Sequence, residues 1–141
     1  MSSHYKNKSI WITGASGGIG AALAKGLSAK GARLILSAPK QHLGQLYSVI
    51  AGCQNGQEHL VVPFDLTSLE DIDRVADEVL NSGNHIDILI NNAGMTHRSL
   101  IMETDIQVDR TLMEVNYLGP LALTKRVLPD MVKQGGGQIV V

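Results

Sequence analysis

The segment Thr13-Gly14-Ala15-Ser16-Gly17-Gly18-Ile19-Gly20 holds the residues whose types and spacing speak most directly of chemistry. Four glycines fall within seven positions, between an apolar run that stops at Thr13 and a pattern of helical spacing that begins at once. The start of a helix presents unpaired N–H groups and a partial positive charge, which together suit an anion. Glycine lets the chain turn tightly and places no side chain between those amides and a ligand. Gly14 permits a tight exit from a strand, Gly18 the approach of a phosphate, and Gly20 the close seating of a helix on a sheet. Ser16 adds a hydroxyl donor. The spacing is G-x-x-x-G-x-G. No Gly-Lys-Ser/Thr follows, so it is not a P-loop, and it differs from the G-x-G-x-x-G of most dinucleotide folds.

Asn116 is a second candidate. The stretch "MEVNYLGPLALTKRVL" (113–128) has helical apolar spacing, yet Gly119 and Pro120 interrupt it. Proline lacks the N–H that would bond the carbonyl four residues earlier. That carbonyl is Asn116's, which leaves it open to another donor; a plain proline kink filled by water is the alternative. The five histidines, His4, His42, His59, His85 and His97, lie far apart with no metal-ligand spacing. They read as surface or packing residues, and no metal is expected. No serine stands in a G-x-S-x-G elbow. Glu70, Asp71, Asp73, Asp77 and Glu78 read as the solvated face of a helix.

These residues need elements to hold them. "SIWIT" (9–13), "RLILS" (33–37), "HLVVPF" (59–64), "IDILIN" (86–91) and "QIVV" (138–141) are rich in Ile, Val and Leu without in/out alternation. They read as strands buried on both faces. Between them, Ile19, Leu23 and Leu27 would form one helical stripe, and Leu43, Leu46, Tyr47 and Ile50 another. Leu69, Ile72, Val75, Ala76, Val79 and Leu80 form the strongest, with Thr67 and Glu70 placed as a capping box. Gly31, Gly52 and Gly83 stand where these helices would end. Strand–helix–strand repeated in this way predicts an α/β fold, a three-layer, doubly wound parallel sheet.

Size and composition agree. The 141 residues make one domain, and 44% hydrophobic with 18% charged residues is ordinary for a soluble globular chain. A net charge of −1, with no run of like charge, gives no reason to expect nucleic acid or an anionic membrane as partner. No apolar stretch approaches the roughly 20 residues that cross a bilayer, and the short polar N-terminus has no signal-peptide core. The single cysteine, Cys53, reads as a small buried hydrophobe; it excludes an internal disulfide and fits a reducing, cytoplasmic setting. "QIVV" ends with the chain and has no helix to cover it, which leads us to expect a truncated polypeptide.

T-G-x-x-x-G-I-G at 13–20, a buried strand leading to Asp65-Leu66, and "NNAG" at 91–94 together resemble the short-chain dehydrogenase/reductase family. "DILINNAG", "VNYLGPLALTKRVLP" and "GGQIVV" resemble in particular its member 7 branch. The resemblance covers essentially the whole chain, in order and at the family's spacing. It implies a Rossmann-like domain over 1–141, incomplete at its C-terminal end, with strand order 3-2-1-4-5 and a dinucleotide across the carboxyl ends of the strands. Thr13, Gly14, Ser16, Gly17, Gly18, Ile19 and Gly20 would make its phosphate turn. Asp65 would accept from the adenine amino group beside the Leu66 backbone, a turn or cap aspartate being the alternative. Asn92, Ala93 and Gly94 would line the cofactor, although an asparagine there can also tie adjacent strands. The family's catalytic asparagine aligns with Asn116, whose carbonyl would hold a water leading to the active-site lysine.

In this architecture an acidic residue after the second strand selects NAD. None occurs from Gly14 to Gln57, whereas Lys25, Lys30, Arg33 and Lys40 do. NADP is therefore expected ahead of NAD, with Lys40 placed to meet the 2′-phosphate; a solvated lysine at a helix start is the other reading. The family's serine and Tyr-x-x-x-Lys are absent: Tyr5, Tyr47 and Tyr117 are followed four residues on by Ser9, Ala51 and Leu121. Two expectations result. In one, the chain is the cofactor-binding part of an oxidoreductase that moves hydride between nicotinamide and a small-molecule carbonyl or secondary alcohol, a homodimer or homotetramer when intact. In the other, it is a non-catalytic module that binds a dinucleotide or a partner.

Overall fold

A computed structural model describes residues 4–54 and 58–141; the first three residues of the polar N-terminus lie outside it. In chain order the elements are β1 (Ser9–Thr13), α1 (Gly18–Ser28), β2 (Arg33–Ser37), a 3-10 turn (Lys40–His42), α2 (Leu43–Ala51) and β3 (Leu60–Val61). They continue with α3 (Leu69–Asn81), β4 (Ile88–Ile90), α4 (Ile106–Met113), a π-turn (Glu114–Leu118), α5 (Gly119–Lys133) and β5 (Gln138–Val140). The sheet runs β3-β2-β1-β4-β5, every pair parallel. This is the doubly wound order expected, with the direction of winding reversing between β1 and β4.

Why the strands lack polar alternation is visible in their packing. Ile10 and Ile12 face the layer of α1 and α2, meeting Leu34, Leu36, Ala24, Leu46 and Val49. Trp11 faces the other layer, with Ile35, Leu89, Ile72, Val75, Val79, Leu123 and Val127. Both faces of these central strands are covered, so both must be apolar; β5, expected to be buried likewise, is exposed at Gln138 and Val140. The buried indole N–H of Trp11 donates to Ser37 Oγ at 2.9 Å, which satisfies both groups. Among the described residues, no helix is long and apolar enough to cross a membrane.

Several local expectations are corrected. Regular pairing of β3 stops at Val61, not Phe64. Pro63 has no N–H to give, although Val62 and Phe64 still donate to the Leu36 and Ala38 carbonyls. In α1 the buried face is Gly20, Ala24 and Ser28, while Ile19 is 73% exposed; small residues let this helix lie closer to the sheet than a leucine stripe would. In α2 the sheet receives Leu46 and Val49, leaving Leu43 and Tyr47 outside. Leu69 is likewise exposed. The cap of α3 is Ser68, one residue beyond Thr67, and its Oγ accepts from the Asp71 N–H at 3.2 Å. Gly31 and Gly83 leave their helices at φ +83° and +78°, whereas Gly52 stays right-handed. Of the acids of α3, Glu70, Asp73, Asp77 and Glu78 are exposed as expected, with Asp73 and Asp77 paired to Arg126 on α5 and Glu78 to Arg74; Asp71 alone is largely enclosed.

Candidate functional site

The glycine turn links the end of β1 to the start of α1. Gly14 has φ +64°, and a Cβ there would lie 2.7 Å from Ala93 Cα. A Cβ on Gly20 would overlap the Gly14 carbonyl oxygen and sit 2.6 Å from Asn92 Nδ2. Gly18 opens α1 at φ +53°, a backbone that other residues adopt with strain. Around the Cβ positions of Gly17 and Gly18 nothing lies within 4 Å. The helix has no side-chain cap and no acid in its first turn. Its leading N–H groups therefore face open space, with the positive end of the helix dipole behind them.

Side chains behind the turn hold it there. Thr13 is 1% exposed; its hydroxyl accepts the N–H groups of Asn92 and Ala93, each at 3.1 Å. Asn92 Nδ2 returns two bonds, to the Thr13 and Gly14 carbonyls, both at 3.1 Å. Thr13 and Asn92 thus lock the turn of β1 to the end of β4, and Ala93 packs against Gly14. Asn91, the neighbouring asparagine, instead reaches Thr124 on α5 at 3.0 Å. At the exposed side of the turn, Ser16 Oγ lies 3.4 Å from His42 Nδ1.

A narrow cleft opens at the carboxyl ends of the strands, between Thr13, Gly14, Ala38, Phe64, Leu66 and Ala93. At Pro39 it adjoins a wider cavity of about 610 Å³, lined by Lys40, Gln41, Asp65, Ser68, Asp71 and Arg74 among others. Open α/β sheets take ligands in this position, at the point where the winding reverses. Asp65 is in a turn: Oδ1 accepts from Thr67 N and Thr67 Oγ1, both at 2.8 Å. Lys40 lies on the 3-10 turn with its ammonium 3.8 Å from Asp71 Oδ1.

Asp71 escaped the sequence reading as a site residue. One oxygen takes the Arg74 guanidinium, with Nε at 3.0 Å; the other accepts the Asp65 N–H at 2.9 Å. Burial pushes the Asp71 carboxyl upward, but the Arg74 hydrogen bonds, the Asp65 N–H and the Arg74 and Lys40 charges outweigh it. The net effect is a pKa below the ordinary 3.8. The local signal was Ser68-x-x-Asp71, a cap with an acid three residues on; no pattern in the sequence indicates the tie to Lys40.

Asn116 lies on the π-turn. Its amide grips the Met95 peptide from both sides: Oδ1 accepts Met95 N–H and Nδ2 donates to Met95 O, both at 2.8 Å. Gly94 lies between, with its Cβ position 3.4 Å from Asn116 Oδ1. In place of a simple proline kink the helix widens, and the Gly119 N–H reaches the Glu114 carbonyl, five residues back. A Cβ on Gly119 would overlap the Leu66 carbonyl, so this glycine lets α5 close on the β3 side of the cleft.

The chain matches the family described as short chain dehydrogenase over residues 8–141. It belongs to that family. It is 46% identical over 136 residues to human dehydrogenase/reductase SDR family member 7, covering 93% of this chain and 40% of that one. With mouse dehydrogenase/reductase SDR family member 7B the identity is 42% over 140 residues, covering 97% and 43%. The chain thus spans about two-fifths of the length of these relatives. L-sorbose reductase from Gluconobacter frateurii, solved with NADPH and L-sorbose, superposes with a TM-score of 0.87 at 32% identity, over 99% of this chain and 53% of that one. A metagenomic short-chain oxidoreductase in complex with NADP gives 0.84 at 30%, over 96% and 61%.

Proposed function

We propose that this short-chain dehydrogenase chain binds NADP(H), in preference to NAD(H), as the cofactor-holding part of an oxidoreductase acting on a small-molecule carbonyl or secondary alcohol. One observation carries the reading. The uncapped start of α1 faces open space cleared of Cβ atoms and lies beside the cleft where the sheet reverses its winding. That arrangement suits a pyrophosphate, and Gly17, Gly18 and Ile19 would face it, with Ser16 at its edge. The cleft at Leu66 and Ala93 would take the adenosine, with Asp65 toward the adenine and Lys40 toward the 2′-phosphate. Two NADP-type complexes among the similar structures support the cofactor class.

When bound, the nicotinamide supplies or accepts the hydride. What this chain contributes is position. Thr13 and Asn92 hold the turn against β4. Asn116 fixes Met95 and Gly94, and so the loop over 95–100, beside the reacting end. We further propose a cytoplasmic location, since the one cysteine is a buried free thiol. Pairing into a homodimer or homotetramer is proposed through the α4–α5 side, where Met113, Tyr117, Leu121 and Leu128 are exposed.

The second reading, a non-catalytic dinucleotide-binding module, draws on the absence of any Tyr-x-x-x-Lys in these 141 residues. NADPH oxidation with a panel of carbonyl compounds, measured on the product of the full reading frame, separates the two: turnover supports the enzyme, and saturable binding without turnover the module. Gly17→Glu tests what they share. Position 17 has extended backbone (φ −173°) and free space, so the variant folds, yet it places a carboxylate before the helix amides. NADPH affinity is expected to fall at least about tenfold at an unchanged melting temperature. Undiminished affinity would refute the phosphate seat.

A further inference from the structure

We propose that Asp71 sets how far this chain discriminates NADP from NAD, by holding Lys40 in an ion pair at the mouth of the adenosine-side cavity. The inference rests on the cofactor reading above and adds to it a residue that lies outside the glycine turn and the strand ends.

Three elements meet at Asp71. Its Oδ2 accepts the Asp65 N–H from the turn that precedes α3, its Oδ1 takes Arg74 from its own helix, and Lys40 approaches from the 3-10 turn after β2 at 3.8 Å. The Asp71 side chain is 14% exposed and Lys40 69%, so the carboxylate is the fixed partner and the ammonium the mobile one. The charges facing the cavity are Lys40 and Arg74 against Asp65, Glu70 and Asp71. A ribose 2′-phosphate brings between one and two further negative charges. It would find the nearest lysine already compensated and a carboxylate beside it. Arg74 offers no relief, because Asp71 and Glu78 both hold it. The absence of acids between Gly14 and Gln57 therefore overstates the preference for NADP: the opposing charge comes from α3, across the cavity.

Asp71→Asn removes the charge and keeps an oxygen to accept the Asp65 N–H. The probes are 2′,5′-ADP, which carries the extra phosphate, and 5′-AMP, which does not; both report only on the adenosine side. The ratio of their affinities for the protein is expected to shift about threefold to tenfold toward 2′,5′-ADP in Asp71→Asn, with 5′-AMP unchanged. In a Lys40→Gln background the shift is expected to vanish, which a merely structural effect of Asp71 would not do. An unmoved ratio, or a shift that persists without Lys40, overturns the proposal. If Asp71→Asn does not fold, Lys40→Gln alone decides. A loss of 2′,5′-ADP binding within about twofold agrees with a lysine already engaged, and a loss of about tenfold overturns it. Failure of either probe to saturate the unaltered protein refutes the cofactor reading itself, a result distinct from saturation with an unmoved ratio.

Discussion

The glycine turn and the cavity beyond Pro39 lie side by side along the carboxyl edge of the same sheet, yet they are built from different materials. Around the turn, main chain touches main chain or a short side chain: Gly20 lies against the Gly14 carbonyl, Gly14 against Ala93, and Thr13 and Asn92 exchange bonds with peptide groups. Around the cavity, the Lys40 and Arg74 side chains and the Asp65 N–H meet at the Asp71 carboxylate. At Gly14 and Gly20 the first region leaves almost no freedom, because an added Cβ strikes backbone, whereas Gly17 and Gly18 have open space around them. In the second, one substitution at Asp71 alters the charge that Lys40 and Arg74 meet. On the proposed reading, a rigid phosphate seat joined to an adjustable adenosine end would keep the common part of the ligand fixed while its distinguishing part is read separately.

Substitution at Gly20 should expose that contrast most strongly. In Gly20→Ala the new Cβ meets the Gly14 carbonyl and Asn92 Nδ2, neither of which can move without breaking the lock to β4. A loss of about 3 kcal/mol in urea unfolding is expected. Gly17→Ala adds the same atom three residues away in open space and should stay within about 0.5 kcal/mol. Equal effects at the two positions would break the distinction. Thr13→Val comes next. It keeps the shape and removes the acceptor for the Asn92 and Ala93 N–H groups, at a cost of about 2 kcal/mol. A neutral result would mean that those amides find other partners.

How much of this was legible in the sequence follows the same division. The turn could be read because close backbone approach needs particular residue types at fixed spacing, and the strand order followed from the family resemblance; the engagement of the Asn116 side chain with Met95 had no such signal. Helix faces were less legible. Ile19, Leu43 and Tyr47 fit apolar stripes but lie outside, since hydrophobic spacing cannot tell which of two overlapping faces a close-set sheet will accept. Lys40 and Asp71 are 31 residues apart, and their pairing depends on how α3 is set against the end of β2, which no local pattern encodes. The reading of Lys40 as an unopposed cation had no access to that neighbour.

The acid limb of the stability profile gives the smallest of the expected effects, and its sign can be worked out. The Asp71 carboxyl is held below its ordinary value of 3.8 in the folded chain, where Arg74, the Asp65 N–H and Lys40 favour the charged form over the opposing effect of burial. The unfolded chain therefore takes up this proton first as pH falls. The contribution is complete above 3.8 and is lost as pH drops through the lower, folded value. Urea midpoints of the parent and Asp71→Asn proteins should differ by a constant amount from neutrality down to about pH 5 and converge below 3.8. A gap that stays constant through the acid range would mean that Asp71 acts through its shape and hydrogen bonding alone. In that case its charge would have no part in holding Lys40, and the adjustable end of the site would have to be sought in another pair of groups.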